Sequence, residues 1–137
     1  MRKIYFLVLA IVIMAVLGVL GGYYFGERSG TCIPIGYATR VVISSQHQTV
    51  PDRVIIDPER IRHLTAFANA RRKCSQPTTY TMPAPQTTAT FYDKERFVAA
   101  IGSGPNFFFI ACPNWRGIRK AADPELRDFK RLIGDLN

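Results

Sequence analysis

Histidine, tryptophan, acidic side chains and paired cysteines are all scarce in this chain. Two histidines, one tryptophan and three cysteines occur among 137 residues. His47 and His63 share no metal-ligand spacing, and no C-x-x-C is present. Neither a zinc site nor a thioredoxin-type redox site is therefore supported. G-x-S-x-G and S-x-x-K are absent. Gly102-x-Gly104 is followed by neither Lys-Ser/Thr nor a helix, so it reads as a hairpin turn and not as a phosphate loop. No two carboxylates are spaced for general acid–base work. The expectation is a protein that is not an enzyme and uses no metal or cofactor.

Acidic residues number 10 against 18 lysines and arginines, a net charge of +8. Most of that excess lies beyond residue 25. Placed outside the cytoplasm, such a domain meets anionic polysaccharide or lipid headgroups rather than nucleic acid.

That placement follows from the chain's one long uncharged run, residues 4–25. At about 1.5 Å of rise per residue a helix here spans about 33 Å, enough for a ~30 Å hydrocarbon core. Tyr5 and Phe6 at one end, and Tyr23, Tyr24 and Phe25 at the other, suit the two bilayer interfaces. Arg2 and Lys3 precede the run, which favours an N-terminus in the cytoplasm and the remainder outside. The run exceeds the apolar region of about 7–15 residues in a secretory signal peptide, so residues 1–25 read as an uncleaved signal anchor, with a removed signal peptide as the alternative. Gly18-x-x-x-Gly22 offers a close-packing face for a second anchor and hence a homodimer.

Residues 26–36 hold Gly30, Pro34 and Gly36 and read as a juxtamembrane linker. Residues 37–137 are one domain. Strands are expected over residues 38–44, 53–56, 88–92, 97–101 and 107–111. A first helix starts at Asp57-Pro58-Glu59, where Asp57 is an N-cap and Ile61, Leu64, Phe67 and Ala68 share a face. A second starts at Asp123-Pro124-Glu125, carries Leu126, Phe129, Leu132 and Ile133, and stops at Gly134. Residues 75–87 read as a Pro-rich loop and 113–122 as a basic loop. The expected fold is α+β: an antiparallel sheet of about five strands, packed on one face by two helices.

Of the three cysteines, Cys74 and Cys112 sit at the ends of elements and are the expected disulfide; Cys32 is then free or bridges two chains. With turns at 93–96 and 102–106, Phe91 is expected opposite Val98 and Ile101 opposite Phe107. One sheet face then carries Ala89, Phe91, Val98, Ala100, Phe108 and Ile110, and takes the helices. The other carries Thr88, Thr90, Tyr92, Phe97, Ala99, Ile101, Phe107 and Phe109. Tyr92, Phe97, Phe107 and Phe109 are the candidate protein-binding patch. Trp115, Arg116, Arg119, Lys120, Lys130 and Arg131 are the candidate anion- or polymer-binding group. The functional expectation is a single-pass, membrane-anchored, extracytoplasmic binding or accessory protein of the cell envelope. The alternatives are a module for anionic polysaccharide or lipid headgroups, and an inhibitor or immunity-type protein that blocks an envelope hydrolase through loops 45–52 and 75–87.

Overall fold

A computed structural model describes residues 12–15, 30–46, 51–74, 76–77, 84–113 and 115–134. Its main body is an antiparallel sheet formed by β1 (Arg40–Ser45), β2 (Arg53–Ile55), β4 (Thr87–Asp93), β5 (Arg96–Ser103), β6 (Phe107–Cys112) and β7 (Trp115–Lys120), with the two-residue β3 (Gln76–Pro77) at one edge. The spatial order is β2-β1-β4-β5-β6-β7-β3. The helices are α1 (Pro58–Ala70) and α2 (Asp123–Ile133). The domain is therefore α+β, with six strands and an added edge pair where about five strands were expected. The sixth is β7, which forms from residues read as a basic loop.

Residues 12–15 are helical, and their large apolar side chains are exposed. The rest of the expected membrane helix, Gly18 and Gly22 included, lies outside the described residues. Among the described residues no helix is long and apolar enough to cross a membrane.

Capping chemistry places both helices. The Asp57 carboxylate accepts from the Arg60 N–H at 2.9 Å, and Pro58 follows it. The second helix begins one residue earlier in its motif than the first. Its N-cap is Ala122, whose side chain accepts nothing, and the Ala122 N–H instead donates to Glu125 at 3.1 Å. Gly134 closes α2 in the left-handed conformation, φ 81°, which an L side chain adopts only under strain.

Both helices bury one stripe against one face of the sheet. Ile61, Leu64, Phe67 and Ala68 of α1 are buried, as are Leu126, Phe129 and Ile133 of α2. Phe67, Phe108 and Phe129 form a triangle at the centre, with ring centroids 5.7 to 5.8 Å apart. Two of its three ring pairs are edge-on, the arrangement the aromatic quadrupole favours.

The register differs from the expected one in β5. Tyr92 does pair with Phe97, but Phe91 pairs with Ala99, so Val98 is an extra residue that bulges the strand. The next turn is also tighter than expected. The strands run on through Gly102 and Ser103, and Ile101 pairs with Ile110 rather than Phe107. Both shifts move β5 by an odd count. Ala99 and Ile101 therefore join Ala89, Phe91, Phe108 and Ile110 under the helices, while Ala100 turns to the opposite face.

The disulfide joins Cys32 to Cys112, and Cys74 is a buried free thiol. This replaces the expected Cys74–Cys112 pair. The reason lies in the chain before β1, which runs back along α1. Thr31 bridges to Lys73, and the Cys32 N–H donates to the Arg72 carbonyl at 3.4 Å. That course carries Cys32 into the core beside the end of β6.

Candidate functional site

The face of the sheet opposite the helices is where the two sequence-based groups partly meet. Register assigns to it Val42 of β1, Thr88, Thr90 and Tyr92 of β4, Ala100 of β5, Phe107, Phe109 and Ala111 of β6, and Arg116, Ile118 and Lys120 of β7. Phe109 lies opposite Ile118, Ala111 opposite Arg116 and Phe107 opposite Lys120. An apolar strip thus ends between two cations at the β7 side. At the other end Tyr92 meets Phe97 edge-on at 6.5 Å, and the Arg40 guanidinium lies 4.9 Å from the Tyr92 ring centre. Arg40 is also paired with Glu95 at 3.0 Å.

Exposure divides the four aromatic candidates. Phe97 is 36 % exposed, Tyr92 and Phe109 are half-buried, and Phe107 is buried at 7 %. Pro85 lies over Gly102, so near that a Cβ there would sit 2.6 Å from the proline ring. Phe107 folds its ring onto Gly104. The open strip therefore centres on Phe109, Ile118, Thr90 and Tyr92, and Phe107 belongs to its covered end.

The cationic group is split between the two faces. Arg116 and Lys120 are exposed on the open face, and no carboxylate pairs with either among the described residues. Trp115 points the other way. It is half-buried against the core, with its indole pressed on Gly30, where a Cβ would collide with the ring. Arg119 also faces the helices and pairs with Glu125 at 3.2 Å. Lys130 and Arg131 are exposed on α2, on the helix side of the sheet, and Arg131 is 3.9 Å from Asp128. The single tryptophan is thus removed from any exposed stacking role by its packing.

Glu125 is a junction that sequence reasoning missed. It joins Arg119 to Arg71, whose Nε lies 3.1 Å from Oε1 but off the line of its N–H. Arg71 also stacks on Phe67, with Cζ 3.6 Å from the ring centre, and donates to the Phe67 carbonyl at 3.1 Å. The carboxylate holds two cations, a helix N-terminus and the β7 edge together. Its motif, Asp-Pro-Glu, announced a cap and nothing more.

Cys74 sits near this junction, 2 % exposed. Burial pushes its thiol up from 9.0 to about 11, against a smaller lowering by Arg119. Below pH 9 both folded and unfolded chains keep the proton, and the folded state has its full stability. As pH rises from 9 toward 11 the unfolded chain ionises first, so stability falls by about 1.4 kcal/mol per pH unit. Urea titrations across that range measure the slope, and Cys74→Ala removes it. At neutral pH iodoacetamide leaves Cys74 unmodified until the chain is unfolded.

A cleft of about 460 Å³ lies elsewhere, lined by residues 36–39 together with Ile56, Pro58, Ile61, Arg62 and Thr65. Among the described residues no group of three His, Cys, Asp or Glu side chains is placed to hold a metal ion. The two loops of the inhibitor reading approach each other at their described ends, where the Gln46 N–H donates to the Gln86 carbonyl at 2.9 Å. Residues 47–50, 75 and 78–83 lie outside the described residues. Compared with protein-family models, with curated proteins and with solved structures, the chain has no match in any of the three.

Proposed function

We propose that this chain is a non-enzymatic binding subunit of the cell envelope. Residues 4–25 anchor it in the membrane, the α+β domain lies on the extracytoplasmic side, and the helix-free face of the sheet holds a protein partner. One observation carries the reading: both helices bury the same face, while the other presents Phe109, Ile118 and Tyr92 half-exposed between Arg116 and Lys120, which meet no carboxylate among the described residues, at one end and exposed Phe97 at the other. An apolar centre with a charged rim is the usual anatomy of a protein interface. The partner surface it fits is apolar with acidic edges.

The test is co-purification of the full chain from membranes with Phe109→Asp, Phe97→Asp and Lys120→Glu. Phe109→Asp is expected to weaken association by more than about 30-fold, as loss of an interface hot spot does, with the Cys32–Cys112 bond retained. Lys120→Glu acts mainly on the rate of association and its salt dependence. Phe107→Asp is a different experiment: it places a charge at a site only 7 % exposed and is expected to unfold the domain. Binding that survives Phe109→Asp but vanishes in high salt would favour the anionic-polymer reading, of whose residues Arg116 and Lys120 are the ones exposed on this face.

A further inference from the structure

Residues 30–39 form a strap that lies antiparallel along α1. Its first contact is the Thr31–Lys73 bridge. Midway, Asn69 clasps Ile35 through two hydrogen bonds, accepting from the Ile35 N–H at 2.8 Å and donating to its carbonyl at 3.0 Å. At the far end residues 36–39 border the cleft beside Ile56, Pro58 and Arg62. The inward side chains of the strap, Cys32, Ile35 and Ala38, are buried. Among its outward residues, besides Thr31, Pro34 and Gly36, are two with large side chains that have apolar bodies. Ile33 is 80 % exposed and Tyr37 70 %, and Ile56 across the cleft is 73 % exposed.

Among the described residues from 30 onward these three are the most exposed large apolar side chains, and all lie on or beside one strap. Cations flank them. Arg62 lines the cleft and is paired with Glu59 at 3.2 Å, while Arg72 and Lys73 stand beside the start of the strap with no carboxylate partner among the described residues. An exposed aromatic, two isoleucines and a set of basic residues are the composition of a surface that enters the headgroup layer of an anionic bilayer.

Chain length directs this surface toward the membrane. The disulfide fixes Cys32 to β6. Cys32 follows the end of the apolar run, Phe25, by so few residues that even a fully extended chain reaches only about 25 Å. The start of the strap is thus held within that distance of the anchor.

We infer that Ile33, Tyr37 and Ile56, with Arg62, Arg72 and Lys73, form a second membrane contact that seats the domain on an anionic bilayer. The inference rests on the anchor part of the function proposed above. It gives that proposal an orientation: with the α1 side on the lipid, the helix-free face of the sheet is turned away from the bilayer and is open to a partner.

The experiment uses the full chain in vesicles of phosphatidylcholine and phosphatidylglycerol, with a photo-reactive phenylalanine analogue at Tyr37, at Ile56 or, as the reference on the open face, at Thr90. Retention of the Cys32–Cys112 bond in each variant reports folding. The expected result is lipid adducts at 37 and 56 at least tenfold above those at 90, falling severalfold in phosphatidylcholine alone and in Arg72→Glu/Lys73→Glu. A chain that stays in the vesicles through an alkaline wash, yet gives no more adduct at 37 and 56 than at 90, overturns the inference and leaves the anchor standing. A chain that the wash removes overturns both. Adducts that are equal in the two lipid compositions overturn the role given to the cations.

Discussion

Replacing Cys32 and Cys112 together by serine is expected to cost about 4 kcal/mol of folding stability. The bond closes a loop across a sequence separation of 80 residues, and the chain-entropy relation for a loop of that size gives about 4 to 5 kcal/mol, within the ~2–5 kcal/mol commonly lost with a native disulfide. The bond also holds the strap whose Cys32 and Ile35 are part of the core. Its loss frees residues 30–35 as well as loosening the unfolded chain. Urea unfolding of the double variant, with Cys74 left in place, measures the change as a lowered midpoint. An unchanged midpoint would mean that the strap contributes nothing to the fold.

Phe108→Ala is expected to cost about 3–5 kcal/mol, the range for truncating a fully buried phenylalanine. Phe108 is 0 % exposed and touches one ring from each helix, 5.7 Å from Phe67 and 5.8 Å from Phe129. Removing it takes away the point where β6, α1 and α2 meet. It also strips one of the two rings beneath the Arg71 guanidinium, whose Cζ lies 6.0 Å from the Phe108 centre. For a domain of this size the loss is a large part of total stability, so the variant is expected to be partly unfolded at room temperature. Phe108→Leu, which keeps most of the volume, is expected to cost much less. Thermal or urea midpoints of the two variants test this. Equal effects would argue that the volume Leu retains is irrelevant and that the ring geometry is what counts.

Local chemistry was legible in the sequence, and long-range pairing was not. Asp57-Pro58-Glu59 marked the start of α1 because an N-cap acts over three residues. Gly134 marked the end of α2 for the same kind of reason. The faces of β4 and β6 followed from alternation. The face of β5 did not, since a bulge at Val98 and a strand continuing through Gly102 and Ser103 each shift the count by an odd number. Nothing in Phe97-Val98-Ala99-Ala100-Ile101 distinguishes the extra residue, because all five side chains are apolar.

Strand β7 was hidden for another reason. Trp115-Arg116-Gly117-Ile118-Arg119-Lys120 has cations on both faces, so it lacks the alternation that signals a half-buried strand. Arg119 faces inward only because Glu125 is there to meet it, and that partner arrives through the tertiary fold. The disulfide is hidden in the same way. Cys32 reaches Cys112 through a bridge at Thr31–Lys73 and a clasp at Asn69, none of which spacing reveals. Of the candidate site, Tyr92, Phe97 and Phe109 were found from pattern alone. Only the β6–β7 register could add Arg116 and Lys120 to them and separate Trp115 and Arg119.

The central claim is that the helix-free face of the sheet is a protein-binding surface. Photo-crosslinking in intact cells tests it most directly, with the reactive residue at Phe109, the half-exposed aromatic that faces Ile118. The account predicts one defined envelope protein joined at 109, formed more slowly when Lys120→Glu is added and retained when the probe is carried by a Cys74→Ala chain. Crosslinks only within the chain, or none at 109 in a chain whose Cys32–Cys112 bond is intact, would contradict it.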